Sequence, residues 1–373
     1  MLYVDIPTLP ELKALISLRS DACLSIYVST TPQTQKTGAS RVAYGNLVKS
    51  GIEQLEQIGL DKRRRALLEG ELDALKDDEE FWRLQANSLA VLATPDRIRT
   101  FRLATTVTGT VQVSDRFHLK PLLRAIAFPQ TALVLALSEN DVRLIEIFAD
   151  LPPSQVRVPA LPKSAADAVG RASVNNLTQN TRIANAEGQT VLLRQYARKV
   201  DSALRAVLAG RDTPLILAAT EPLAPIFRTV NSSSSLLERG ISGSPDRLSE
   251  AELADAARTI LDQHYRDQIE DTRQLYETRS GERRATANVE EAARAATRGA
   301  VEVLMVDIDQ TIPGTLSDSD GAVTRVAAAD APSYDILDEI AGRAIMAGAK
   351  FLAVRKDDIP EGAPLAAVLR YPI

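Results

Sequence analysis

The sequence predicts a layered α/β fold in three units. Two observations carry that expectation. Short apolar runs of strand length recur between stretches whose apolar residues fall three and four apart, the spacing of one helix face. Polar turn residues separate several of these runs in the manner of hairpins. The chain has 373 residues, and at about 100–200 residues per domain we place units at 1–126, 127–248 and 249–373.

In the first unit, Pro10-Glu11-Leu12 opens a short helix. Leu24–Val28 follows as a buried strand, and Thr30 to Gly38 is a polar loop. Val42, Leu47, Ile52 and Leu55, then Leu67, Leu68, Leu72 and Leu75, have helical spacing. Ser88–Ala93 and Ile98–Leu103 form a hairpin around Pro95-Asp96, and Val107–Val113 completes the sheet. The second unit opens with a hairpin, Ala132–Leu137 and Val142–Phe148, turned by Ser138-Glu139-Asn140-Asp141. A long polar stretch, 159–188, shows no periodicity. Leu193, Tyr196, Ala197, Val200 and Leu204 then mark a clear helix. Pro214–Ala219 reads as a strand and Pro222–Val230 as a helix. Asn231-Ser232-Ser233-Ser234-Ser235 reads as flexible punctuation. In the third unit, Ser249 and Glu252 form a capping-box signature opening a long charged helix. Val289–Arg298, ended by Gly299, and Tyr334–Met346 are helices. Val301–Val306, Phe351–Val354 and Ala366–Leu369 are strands, and Gly314 to Asp320 is an acidic loop.

Composition narrows the function classes. Hydrophobic residues make up 45% and charged residues 25%, a globular rather than disordered balance. Net charge is −5, whereas proteins that coat bare nucleic acid carry a basic excess. DNA is not an expected partner, and any RNA contact is local. Lys62-Arg63-Arg64-Arg65 and Arg283-Arg284 are basic clusters that read as solvated helix faces. One cysteine, Cys23, excludes an internal disulfide and a multi-cysteine zinc site. It falls in a strand and reads as a core thiol. No apolar run reaches about 18 residues, and Met1 to Leu12 shows no secretion leader. No membrane contact is expected, and the expected location is cytoplasmic. Phosphate-binding glycine loops, dinucleotide fingerprints, zincin helices and nucleophile elbows are missing. No cofactor or metal is expected. His118 and His264 lie in different units and read as surface or structural residues.

One constellation points further. Asn185-Ala186-Glu187-Gly188-Gln189-Thr190 leads into a basic amphipathic helix, Val191 to Val200. This order of strand hairpin, long loop, Gly-Gln tip and basic helix resembles the middle domain of the archaeo-eukaryotic peptide-chain release factors and Pelota, and is most similar to the bacterial branch of that superfamily. Glu187-Gly188-Gln189 stands where the family carries Gly-Gly-Gln. Val113-Ser114-Asp115-Arg116-Phe117-His118 resembles the end of the family's first domain, and Gly299-Ala300-Val301-Glu302-Val303-Leu304 the opening of its third.

The resemblance implies an N-terminal α/β sheet domain, a middle ribonuclease H-like or Rossmann-like domain with a long loop, and a C-terminal α-β-α sandwich like the kink-turn-binding ribosomal protein fold. It implies hydrolysis of the ester joining peptide to tRNA, in rescue of stalled ribosomes. The implied catalytic residues are Gln189, Gly188 and Glu187, with Gln189 positioning water. The glycine permits close backbone approach, and the glutamine amide both donates and accepts. Arg194, Arg198 and Lys199 are the implied RNA-binding residues. Implied partners are the ribosome, the tRNA acceptor end, and a protein partner at the C-terminal domain. The first-unit turn Thr37-Gly38-Ala39-Ser40 lacks the Asn-Ile-Lys-Ser loop of stop-codon readers, so decoding is not expected. Glu187 restricts the backbone and opposes phosphate, which supports an alternative: a non-catalytic ribosome- or RNA-binding protein of the same fold.

Overall fold

A computed structural model describes residues 4–33, 37–127, 131–148, 152–170, 182–209, 213–326 and 333–372; the side chains of 182–187 lie outside the description. Contacts divide the chain into two compact units, residues 129–265 and residues 2–128 together with 266–373.

The first segment begins with α1 (Leu9–Ser17), where the Thr8 backbone N–H and hydroxyl donate to Glu11 Oε2 at 2.9 and 2.8 Å. It continues with β1 (Cys23–Ser29), α2 (Thr37–Gln57), α3 (Lys62–Asp77), α4 (Glu79–Arg83), β2 (Ser88–Thr94), β3 (Arg97–Leu103), β4 (Thr110–Ser114) and α5 (Lys120–Ala127). The strands form an antiparallel sheet ordered β3-β2-β1-β4. Leu24, Ile26 and Val28 of β1 face α2, α3 and α4 in a core with Tyr44, Leu55, Leu72 and Trp82. Thr37-Gly38-Ala39-Ser40, read from sequence as a turn, is the first turn of α2. The buried face at Tyr44, Val48, Gly51 and Leu55 drives the helix, and one early glycine costs only about 1 kcal/mol. The basic cluster opening α3 is partly paired: Arg64 reaches Asp21 at 2.7 Å and Arg65 reaches Glu56 at 3.1 Å.

The middle unit carries β5 (Thr131–Leu137), β6 (Val142–Phe148), β7 (Ser154–Val156), α6 (Ala165–Val169), α7 (Arg182–Leu208), β8 (Leu215–Ala218), α8 (Leu223–Val230) and the start of α9 (Glu250–Gly281). The sheet order is β7-β6-β5-β8, with β8 parallel to β5 and the other pairs antiparallel. Strand alternation splits β5 between two cores. Leu133, Leu135 and Leu137 pack with Leu193, Tyr196, Val200 and Phe227. Ala132, Val134 and Ala136 pack with Leu253, Ala254, Ala257 and Leu261 of α9. Ser249 caps α9 as expected, donating its N–H to Glu252 Oε2 at 2.9 Å while Glu252 N–H donates to Ser249 Oγ at 3.3 Å.

The serine-rich stretch is held rather than loose. Leu215 N–H donates to Ser235 O and Leu237 N–H to Leu215 O, both at 2.8 Å, so the segment continues the sheet beside β8.

The last segment adds β9 (Ala285–Thr286), α10 (Val289–Thr297), β10 (Val301–Asp307), β11 (Pro313–Leu316), β12 (Val323–Arg325), β13 (Tyr334–Asp335), α11 (Ile336–Met346), β14 (Lys350–Val354) and β15 (Leu365–Leu369). The sheets are β14-β10-β15-β9 and β12-β11-β13. Gly314 to Leu316, expected in a loop, is strand β11; its pairing with β13 also moves the start of α11 from Tyr334 to Ile336. Val289, Leu304, Leu337 and Ile340 share one core with Leu12, Leu15, Phe117 and Leu122 of the first segment. Residues 12–126 and 289–369, set apart by sequence pattern, thus contribute to one apolar interior, whereas 250–265 pack with the middle unit.

Candidate functional site

α7 carries the candidate residues Arg194, Arg198 and Lys199. Leu193, Tyr196, Ala197, Val200 and Leu204 are buried against the sheet. The Tyr196 hydroxyl donates to Ser138 O at 3.0 Å, pinning the helix to the β5–β6 turn. Burial, reinforced by Asp141, Asp246 and Glu139, raises the Tyr196 pKa, so this hydroxyl stays protonated.

A flanking face carries charge. At 3.6 residues per turn, Arg194, Arg198, Asp201 and Arg205 fall on one stripe. They line an open groove with Thr229 and Val230 of α8. Arg194 and Arg198 are exposed, and neither has a side-chain partner among the described residues. Arg205 does: its Nη2 donates to Asp201 Oδ2 at 2.8 Å. Asp201 is only 3% exposed. It also accepts from the Ser232 N–H at 2.8 Å and the Ser232 hydroxyl at 3.0 Å. One carboxylate therefore clips the serine-rich stretch to α7 and neutralises one of three arginines.

Lys199 stands apart, about 140° around the helix from Arg194. Its ammonium donates to Ala168 O at 2.6 Å, satisfying a carbonyl at the end of α6. The structure thus brings Arg194 and Arg198 together and gives Lys199 a structural contact instead.

The Gly-Gln pair was expected at the tip of a loop. α7 instead begins at Arg182, so Gly188 and Gln189 lie inside its opening turns. Helix-forming residues on both sides outweigh the glycine. In a helix, both residues direct their N–H groups to carbonyls four residues back, which leaves no backbone donors for an oxyanion. Gly188 is exposed, and a Cβ there would meet nothing within 4 Å. Gln189 is half-buried. The Glu187 side chain, and residues 171–181 of the polar stretch, lie outside the described residues.

A second charged cluster went unread in the sequence. Arg116 and His118, in the segment before α5, and Lys120, the first residue of α5, each meet an acid around the start of α11. Arg116 Nη1 lies 2.7 Å from Glu339 Oε2, His118 Nδ1 3.2 Å from Asp338 Oδ2, and Lys120 Nζ 2.6 Å from Asp335 Oδ2. Glu339 also accepts from Arg343 Nε at 2.8 Å and Arg19 Nη2 at 3.2 Å. The Arg116 guanidinium sits 3.9 Å from the centre of the Tyr334 ring. Burial works against its charge, but Asp115 and Glu339 more than compensate and raise its pKa. His118 thus takes a structural place, one of the two roles expected for it. Cys23 is buried, and burial, followed by the charge of Asp115, pushes its thiol up to about 12. It is no nucleophile at neutral pH.

The sequence family model described as bacterial archaeo-eukaryotic release factor family 11 matches residues 129–267. Those residues are similar to that family. The matched segment runs from β5 into α9 and contains Glu187-Gly188-Gln189, Arg194, Arg198 and Lys199; the second charged cluster lies outside it. Similar solved structures include the archaeal translation termination factor aRF1 (13% identity, 98% of this chain and 99% of that one, TM-score 0.25). Dom34 of S. cerevisiae, a translation termination-like factor, is 12% identical over 77% of this chain and 80% of its own, with TM-score 0.42. A chain of the ribosome-bound archaeal Pelota and ABCE1 model is 9% identical over 99% and 96%, with TM-score 0.40. No curated protein matches the chain. Among the described residues, no helix is long and apolar enough to cross a membrane, and no group of three or more His, Cys, Asp or Glu could hold a metal ion.

Proposed function

We propose that this chain is a release-factor-like, ribosome-associated cytoplasmic protein that contacts RNA phosphates through Arg194 and Arg198. The observation that carries the reading is the pair of exposed guanidiniums, four residues apart and without a side-chain partner among the described residues, on the helix that carries the Gly-Gln dipeptide of the segment matched by the release-factor family model. Guanidinium suits phosphate because its fork donates two parallel hydrogen bonds.

The finer reading is hydrolysis of peptidyl-tRNA on stalled ribosomes. Water attacks the ester carbonyl carbon, the carbon–oxygen bond to the tRNA 3′ end breaks, and that oxygen leaves with a proton. Gln189 would orient the water, with Gly188 open to close approach by RNA. This requires the opening turns of α7 to unwind, releasing the backbone donors that the helix now uses. The helical setting of Gly188 and Gln189 favours the second reading, in which the protein docks without hydrolysis and Glu187 keeps it inert. We also propose the three-domain plan, with the ribonuclease H-like middle domain and the C-terminal sandwich, and a protein partner at that sandwich.

The test adds purified protein to ribosomes carrying peptidyl-tRNA. Peptide release that Gln189→Ala abolishes supports hydrolysis, and release that persists in the variant sinks that mechanism. No release by the native chain, with release gained in Glu187→Gly, supports docking alone. Failure of both proteins to cosediment with ribosomes removes the ribosomal reading altogether.

A further inference from the structure

The second charged cluster encloses a feature that its ion pairs do not account for. A cavity of about 20 Å³ lies between the segment 116–119 and α11. A site needs about 10–15 Å³ to hold one water. Three buried polar atoms belong to residues lining it and have no hydrogen-bond partner among the described residues: Arg116 Nη1, His118 Nδ1 and Asp338 Oδ1. Their side chains are 11%, 9% and 9% exposed. Such atoms are costly to leave unpaired.

Local geometry explains why the protein leaves them so. Asp338 spends its other oxygen, Oδ2, on the Leu119 N–H at 2.6 Å. Arg116 Nη1 and His118 Nδ1 lie near carboxylate oxygens, at 2.7 and 3.2 Å, but are not aligned on them for a hydrogen bond. The unmet capacity is then two donors and one acceptor, with His118 protonated at Nδ1 so that it faces the Asp338 carboxylate with a hydrogen rather than a lone pair. Water accepts two hydrogen bonds and donates two. An anion would meet Asp335, Asp338 and Glu339, and a cation would meet Arg19 and Arg116.

We propose that this cavity is a hydration site for a single water, which accepts from Arg116 Nη1 and His118 Nδ1–H and donates to Asp338 Oδ1. The water completes the polar join between the first segment and α11, and it is independent of the RNA-contact reading.

A crystal structure of the full chain, at a resolution that shows ordered waters, tests this directly. The expected result is one peak within about 3.2 Å of Asp338 Oδ1 and of at least one of the other two atoms. A cavity without density, or one closed by direct pairing of Asp338 Oδ1 with a protein donor, would overturn the proposal. Nitrogen NMR of His118 in solution gives a second reading. Protonation at Nδ1 is expected, and a neutral ring carrying its proton only on Nε2 contradicts the proposed bonding.

Discussion

Replacing Arg194 and Arg198 together with alanine isolates the electrostatic contribution of α7 to binding. The two residues are separated by one helical turn, about 6 Å along the axis, and no carboxylate among the described residues pairs with either. Each phosphate neutralised contributes about −0.7 to −0.9 to the slope of log affinity against log salt. Losing two contacts should therefore flatten the slope by about 1.4–1.8. Between 50 and 200 mM salt, that corresponds to about 7- to 12-fold of the native protein's salt sensitivity. Exposed helix positions contribute little to stability, so the variant should unfold within about 0.5 kcal/mol of the parent. The assay is cosedimentation with ribosomal subunits across a salt series. Two controls sharpen it. Arg205→Ala should change the slope less, because Asp201 already pairs with Arg205. Lys199→Ala should leave the slope nearly unchanged, because its ammonium is held by Ala168 O. A double variant with the native slope would refute the assignment of phosphate contact to this face.

Other outcomes concern the scaffold. Lys120→Met removes one member of a buried pair, leaving Asp335 charged at 2% exposure, and should cost about 3–5 kcal/mol in denaturant unfolding. Gly321 has φ of 74°, and a Cβ there would approach Ala293 O at 2.7 Å and Thr297 Oγ1 at 2.6 Å. Gly321→Ala should therefore destabilise by about 1–3 kcal/mol, and an unchanged thermal midpoint would contradict that contact. The pKa of Glu252 is lowered by hydrogen bonds from Ser249. Its stabilisation is present above the ordinary glutamate pKa and fades as pH falls through the lowered value. Ser249→Ala should thus lower the melting temperature at neutral pH, with the gap narrowing under acid; a gap that is constant with pH would argue against the cap.

The sequence made the long, continuous signals legible. Leu24–Val28, Ala132–Leu137 and Val301–Val306 are apolar at strand length, and all are strands. The stripe from Leu193 to Leu204 faces the core as its spacing indicates. What escaped was non-local or short. β7, β9, β12 and β13 have two or three residues each, too few to establish a period. Asp201 gives no sign in sequence that it will be buried, because its partner Ser232 is 31 residues away. Arg116, His118 and Lys120 alternate with the period of a strand, and Asp335, Asp338 and Glu339 cluster about one helical turn. That pairing of patterns was visible, but its register depends on contacts across more than 200 residues. Grouping Lys199 with the arginines followed chain order, whereas the helix turns it to another face.

Asp201 has a further consequence for how the protein would exchange between partners. A carboxylate set among three arginines leaves an electrostatic grip of two charges rather than three, and at physiological ionic strength fields from exposed charges fade within about 8 Å. Such a face selects at contact range and releases readily. The lifetime of any complex would then be governed by surfaces beyond this groove, while the groove itself sets how often an encounter begins in the right orientation.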